Sequence, residues 1–426
     1  MKATNYLLSV LATSVALFAA DWPQYRGPHH DGKTLEKMSS AWPANGFKPL
    51  WKVPTPNGFS SFAVQNRRAY TIVGRDADGV PREVLVALDA DTGKELWSVA
   101  FGTSRYGHDG GNAGAGNNKG GDGPRSTPTV DGERVYVLTA DLLLAAVQAK
   151  DGKEIWKRDL IKEHKGQNIT WKNAASPVVD GDLIFVAAGG AGESLLAFNK
   201  NDGKTVWKSE SDKITHATPV PATIHGERQI IFFTQKGLVS VKPADGTVLW
   251  RHPFKYSTST AASPVVADDI VYCSAGYGVG SSAIQIKKAG NKYSATELWM
   301  VPGNSIANHW STPVHKDGFL YGMFQFKEYG DGPVRCVELK TGKVKWSQPG
   351  FGPGNLILVD NHLVALSDDG ELVHIEPNPA RYVEKGRFKA VAGKCWSTPA
   401  FSEGRIYVRS TKEGAAFEVG QKMAAQ

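Results

Sequence analysis

Along most of this chain, short apolar runs alternate with polar turns. Arg134-Val-Tyr-Val-Leu138, Leu183-Ile-Phe-Val186 and Ile270-Val-Tyr-Cys273 are such runs, and turn signals such as Asp131-Gly132, Asp180-Gly181 and Asp317-Gly318 punctuate the pattern. Runs of this length and composition, bounded by Asp-Gly, predict β-strands. No long amphipathic helical pattern appears. A phrase recurs on top of the alternation. Ala87…Gly93-Lys-Glu-Leu-Trp97 returns as Ala146…Gly152…Trp156, Ala197…Gly203…Trp207, Ser240…Gly246…Trp250 and Cys336…Gly342…Trp346. The Gly-to-Trp spacing is four in each copy, and the residue six before the Gly is always small. A fixed phrase at intervals of roughly 45–60 residues marks a repeat architecture.

The phrase predicts a β-hairpin: an apolar strand, a polar turn in which Gly93 supplies positive φ, and a strand carrying the Trp. A second phrase opens each unit, as in Ser126-Thr-Pro, Ala175-Ser-Pro, Ala217-Thr-Pro, Ala262-Ser-Pro, Ser311-Thr-Pro and Ser397-Thr-Pro. Proline is tolerated at the first residue of a strand, so this phrase fits strand entry. Four short antiparallel strands per unit make one propeller blade. Counting openings predicts an all-β, eight-bladed β-propeller, with seven blades as the alternative. The last unit lacks a fourth strand, and Pro49-Leu-Trp51-Lys-Val53 is a strand without a unit. The N-terminal strand should therefore complete the last blade and close the ring. Trp51, Trp97, Trp156, Trp207, Trp250, Trp299 and Trp346 are read as structural, each needing a small residue opposite.

The 426 residues would suit more than one domain, but the continuous repeat argues for a single domain over 21–426. Residues 1–20 have a charged start, an apolar core and small residues before Asp21, the pattern of a secretory signal peptide. A periplasmic or secreted protein follows, with no span across the membrane and no Cys near the cleavage point to carry a lipid. Of three cysteines, Cys336 fills a small-residue slot and Cys273 lies in a strand, so both are read as buried fillers. The net charge of +7 is scattered, which implies solubility and no nucleic-acid partner. A monomer is expected.

Ala87-x-Asp-x-x-Thr-Gly-Lys-x-x-Trp97 resembles the tryptophan-docking motif of PQQ-type β-propellers, a superfamily that includes quinoprotein alcohol dehydrogenases and BamB-type assembly proteins. Asp21-Trp-Pro-Gln-Tyr-Arg-Gly-Pro28, Gly121–Gly132 and Lys394-Cys-Trp-Ser-Thr-Pro399 are similar to exported members of that group. The resemblance covers the mature chain and implies the fold; one superfold hosts unrelated activities. It implies either a non-catalytic binding or assembly scaffold at the cell envelope or a PQQ-dependent dehydrogenase. The enzymes use adjacent cysteines, a Trp floor and Ca²⁺ ligands, and no two cysteines are adjacent here. Neither PQQ nor Ca²⁺ is therefore expected, and a binding role to an envelope protein or polysaccharide is favoured over catalysis. Under the dehydrogenase alternative, PQQ would stack on Trp310 or Trp396 and be held by Arg125.

The residues just before each inner strand should ring one mouth of the central channel. They include Arg125, Trp171, Asn173, His216, His309, Trp310, Asn355, Lys394 and Trp396. Converging aromatic and polar groups suit a small-molecule or peptide site, while the plainer reading has them plugging the channel. His216 and His309 would ligate a metal only if they met, and no carboxylate stands at recognisable spacing. The Gly-rich insertion over 102–124 leads to Arg125 and is read as a flap over the mouth or a disordered insert, with Asp109 and Asp122 as conceivable Ca²⁺ ligands.

Overall fold

The computed structural model describes residues 21–107, 122–325 and 332–420. The expected signal peptide and the centre of the Gly-rich insertion, including Asp109, lie outside the described residues. Eight sheets, each with four antiparallel strands, build the molecule, and each is a propeller blade. Blade 1 comprises Ala63–Gln65, Arg68–Ala77, Val80–Asp89 and Glu95–Thr103. Blades 2 to 7 open with the inner strands Thr129–Asp131, Val178–Asp180, Val220–Ile224, Val265–Ala267, Val314–Lys316 and Asn355–Val359. Blade 8 holds Ala400–Ser402, Arg405–Arg409 and Glu413–Glu418, and its outer strand is Trp51–Pro54 from the other end of the chain. Trp51 pairs with Ala416 and Val53 with Gly414, so the ring closes as expected. Among the described residues the one α-helix is Leu160–His164.

Register explains the repeat phrase. Trp97 lies directly across from Ala87, Trp156 from Ala146, Trp207 from Ala197, Trp250 from Ser240, Trp299 from Ala283 and Trp346 from Cys336. Cross-strand neighbours share a face, so a small residue there makes room for the indole. A bulge follows in each pair, re-aiming the Trp toward the next blade. The glycine does more than turn the chain. A Cβ on Gly152 would stand 2.7 Å from the Trp97 ring, one on Gly203 2.5 Å from Trp156, one on Gly246 2.6 Å from Trp207 and one on Gly93 2.7 Å from Trp51. Trp97, Trp156, Trp207 and Trp299 thus each dock flat against the glycine of the following blade, and Trp51 does so across the closure. The indole N–H then donates to that blade's backbone, as Trp97 Nε1 to Ala149 O at 3.1 Å and Trp207 Nε1 to Pro243 O at 2.7 Å.

Blade 7 departs from the pattern. Its Trp slot holds Gly386, opposite His374. Trp42, from the segment ahead of the closing strand, occupies the space: its Cβ lies 2.9 Å from where a Gly386 Cβ would be, and its ring sits 5.2 Å from His374 and 5.6 Å from Phe388.

Two further devices tie the ring on the inside. The opening Ser-Thr-Pro phrase, read from sequence only as strand entry, supplies a circle of hydroxyls. Thr398 N–H donates to Ser61 Oγ at 2.8 Å, Ser61 N–H to Thr127 Oγ1 at 3.0 Å, Thr127 N–H to Ser176 Oγ at 2.9 Å and Ser176 N–H to Thr218 Oγ1 at 3.0 Å. Blades 8, 1, 2, 3 and 4 are linked in turn. The N-terminal strap then crosses the channel. Pro23 O accepts from Val130 of blade 2 at 2.7 Å, and Arg26 donates to Thr312 O at 2.7 Å and Pro313 O at 3.0 Å at the entry to blade 6, diametrically opposite. Lys33–Thr34 continues as a parallel strand on blade 7.

The docking geometry makes a sharp prediction about Gly203. It has φ +66° and no room for a methyl group, whereas Gly181 has φ +60° with nothing within 4 Å. Gly181→Ala should cost about 1 kcal/mol for the left-handed backbone alone. Gly203→Ala adds displacement of Trp156 and should cost about 3 kcal/mol or more in denaturant unfolding. Equal costs would show that the Trp–Gly dock does not hold blades 2 and 3 together.

Candidate functional site

The strand entries and the turns between second and third strands converge on one mouth, where they enclose a cavity of about 130 Å³. Its wall is mostly aromatic. Phe59 stacks on Trp396 at 4.8 Å, Trp396 meets Trp310 at 4.3 Å, His309 stands edge-on to Trp310 at 4.9 Å and to Tyr277 at 5.0 Å, and Tyr277 lies near-parallel to Trp171 at 6.3 Å. Trp171 also approaches His216 at 6.3 Å. The result is a belt drawn from blades far apart in sequence. Tyr25, at the middle of the strap, lines the same cavity.

Arg125 is the cation of this wall. Its guanidinium sits 6.0 Å from the Phe59 ring centre and 5.7 Å from that of Tyr106, and Nη1 donates to Gly123 O at 3.1 Å. Burial lowers its pKa, while Tyr106, Asp122 and Glu83 act in the opposite sense. Behind it, Tyr106 donates its hydroxyl to Glu83, which also accepts from Ala140 N–H at 3.2 Å. Burial pushes the Glu83 carboxyl up to about 7.

Other polar groups at the mouth are committed to the fold. His216 contacts Thr170 O through Nε2 at 2.9 Å and Ser259 Oγ through Nδ1 at 2.8 Å. A carbonyl can only accept, so Nε2 carries the proton and Nδ1 takes the Ser259 hydroxyl. Burial lowers its pKa to about 4 and that of His309 to about 3, so both rings are neutral at pH 7. Trp396 Nε1 donates to Asp368 Oδ1 at 2.5 Å, and Lys394 lies 3.5 Å from the other oxygen and 5.1 Å from the Trp396 ring centre. Burial raises the pKa of Asp368 against those two donors.

Of the residues named from sequence, Arg125, Trp171, His216, His309, Trp310 and Trp396 line the cavity. Asn173 and Asn355 do not. Asn173 is spent on Ala175 N–H and O at 3.1 and 3.0 Å and on Thr139 O, and Asn355 donates to Trp396 O at 2.7 Å. Sequence reasoning missed Tyr25, Phe59, Tyr106 and Tyr277 as site residues. A Gly-flanked aromatic (Gly276-Tyr277-Gly278) was the available signal for the last.

Two of the aromatics are held in an unusual backbone. Trp171 has φ 66° and Tyr277 φ 54°, in the left-handed region. Bulky side chains rarely adopt it, because Cβ crowds the following carbonyl.

Phe59 and Trp310 both pack on the Trp396 ring, where a planar cofactor would have to stack. Among the described residues no three His, Cys, Asp or Glu side chains cluster as a metal would require. Cys273, Cys336 and Cys395 are free and buried.

A family model described as outer membrane protein assembly factor BamB matches residues 81–348, more than half of the chain. The chain belongs to this BamB family. Among curated proteins it is 25% identical to the outer membrane protein assembly factor BamB of Moranella endobia, over 86% of this chain and 89% of that protein. It is 24% identical to the BamB of Yersinia pestis, over 80% and 81%. Of solved structures, BamB from Moraxella catarrhalis superposes with a TM-score of 0.60 at 12% identity, covering 87% of this chain and 99% of that one. The quinohemoprotein alcohol dehydrogenase of Comamonas testosteroni superposes at 0.68 and 14% identity, over 95% and 81%. At such identities the structural likeness speaks for the fold alone.

The neutral, buried His216 has a measurable consequence. The unfolded chain takes up a proton near pH 6.5, which the folded ring refuses until about 4. Stability from this residue is therefore lost as pH falls through that window, by about 2 kcal/mol at pH ~4.5. His216→Gln keeps a donor and an acceptor but cannot titrate. The stability gap between wild type and variant should shrink by about that amount from pH ~7 to ~4.5; a constant gap would show that His216 is not held neutral.

Proposed function

We propose that this protein is an exported, non-catalytic binding scaffold of the bacterial cell envelope, active in assembly at the outer membrane as its BamB relatives are named for. The mouth is where it receives a guest. The observation that carries this reading is the pair Trp171 and Tyr277. The left-handed backbone itself belongs to turns, that of Tyr277 being closed by Val279 N–H on Gly276 O at 3.2 Å; a bulky aromatic where such turns favour Gly, Asn or Asp is the costly choice, and strain of this kind concentrates at ligand-contacting sites. The rest of the mouth fits binding better than turnover. Its histidines are neutral and His216 is tied to Thr170 and Ser259, while its carboxylate Asp368 is tied to Trp396 and Lys394.

The rim supplies a second kind of surface. Each outer strand is paired on one side only, and the residue before the docking Trp projects outward: Leu50, Leu96, Ile155, Val206 and Leu298 are 37–48% exposed. Open strand edges with apolar side chains are suited to adding an extended segment of a partner protein.

The test is capture from an envelope extract with the purified protein, in parallel with Tyr277→Gly. The variant should keep its unfolding midpoint, because relief of the left-handed backbone offsets the lost ring contacts, and should lose the captured species by tenfold or more. Dye-linked alcohol oxidation with added PQQ and Ca²⁺ should stay at background. Turnover, or capture indifferent to Tyr277, would overturn the reading.

A further inference from the structure

The turns between first and second strands and between third and fourth strands gather on the face opposite the mouth. One blade junction there differs from its neighbour in charge. Three blades that follow one another around the ring, 8, 1 and 2, open their second strands on the same phrase: Arg405-Ile-Tyr407, Arg68-Ala-Tyr70 and Arg134-Val-Tyr136. Between blades 8 and 1, Arg405 reaches Ala90 O at 3.5 Å, and the next residue, Asp91, meets its charge at 2.5 Å. Between blades 1 and 2, Arg68 donates to the equivalent carbonyl, Ala149 O, at 2.6 Å. The residue in the place of Asp91, two before the docking glycine, is now Lys150. A cation stands where the neighbouring junction has its counter-charge.

Arg134 adds to the surplus. Toward blade 3, Lys200 O is taken by Trp156 Nε1 at 3.2 Å and by the Tyr136 hydroxyl at 3.1 Å. Arg134 instead lines a groove of about 590 Å³ together with Arg68 and Lys150, and its Nε is buried without a hydrogen bond. Glu133 is the one carboxylate among the described lining residues, and it is exposed. Acids close by are engaged elsewhere. Asp131 pairs with Lys200 at 2.7 Å, Asp151 accepts from Lys153 N–H at 3.1 Å and Asp21 accepts from Asn66 N–H at 3.2 Å.

Three cations against one carboxylate leave a surplus of two positive charges in the groove. A phosphate monoester brings close to two negative charges and three acceptor oxygens, whereas a carboxylate brings one charge and two oxygens. Guanidinium forks match phosphate in two-point contact, and an ammonium adds a point charge.

We propose that the groove between blades 1 and 2 binds a phosphate group, held by Arg134, Lys150 and the remaining donors of Arg68. The site is separate from the mouth and does not rest on it. Ile155, 37% exposed, lines the same groove, so a lipid headgroup fits there as well as a soluble phosphate.

The experiment is calorimetric titration of the purified protein with inorganic phosphate at fixed ionic strength. Its second arm is co-sedimentation with vesicles of phosphatidylcholine, alone or mixed with phosphatidic acid. The decisive variant is Lys150→Asp, which installs the acid of the blade 8–1 junction at an exposed position and should not lower the unfolding midpoint. Wild type should bind phosphate at about 1 mM or tighter, and Lys150→Asp and Arg134→Gln at least roughly tenfold more weakly. Retention on phosphatidic acid vesicles that Lys150→Asp abolishes identifies a lipid headgroup as the source; phosphate binding without retention identifies a soluble ester. Binding of neither probe overturns the proposal. Equal binding by wild type and both variants also overturns it, and assigns the attraction to the diffuse charge of +7. A glutamate oligomer that binds more tightly than phosphate, dependent on Lys150, overturns it in favour of an acidic peptide. Should Lys150→Asp lower the midpoint, Arg134→Gln decides in its place.

Discussion

The docking of one blade's Trp onto the next blade's glycine is the constraint from which the architecture follows. A four-stranded sheet has two faces to bury, and a propeller buries both only if every blade grips its neighbour at the same height. An indole lying flat on a glycine does this with large apolar area, and it also sets distance, because a single Cβ on the glycine would collide with the ring. The indole N–H adds direction by reaching a carbonyl on the neighbouring blade. Since the contact is identical at several interfaces, the angle between blades repeats, and a repeated angle closes into a ring. Closure itself uses the same contact, Trp51 on Gly93, between segments from opposite ends of one chain.

This explains why so much of the fold is legible in sequence. Trp97, Ala87 and Gly93 are within one hairpin, so their relation survives as fixed spacing, and the orphan strand around Trp51 stands out because the last unit lacks one. What is not legible depends on contacts that spacing cannot encode. Trp42 replaces the missing blade-7 Trp from more than 300 residues away, and only the empty slot at Gly386 hints that something must. The Ser-Thr-Pro phrase is visible as a repeat, but its hydroxyl circle joins Thr398 to Ser61 across 337 positions. The strap motif Asp21–Pro28 carries a family resemblance without disclosing that it spans the channel.

The site was partly legible for the same reason. Arg125, Trp310 and Trp396 precede inner strands, and the blade topology places every such residue at one mouth. Asn173 and Asn355 precede strands as well, yet their short amides reach back to the backbone and are consumed there. Longer side chains such as Trp and Arg pass beyond their own backbone into the channel. Phe59 and Tyr277 needed the third dimension, since neither lies in a repeat phrase.

The strap changes what the mouth can be. A propeller channel open at both ends would admit water along its axis. Here Arg26 fastens the strap to the entry of blade 6 with a buried guanidinium, each of whose three nitrogens donates to a carbonyl, and Tyr25 is carried with it to the cavity wall. The N-terminal segment that most marks the family resemblance is thus the element that ties blade 2 to blade 6 across the ring.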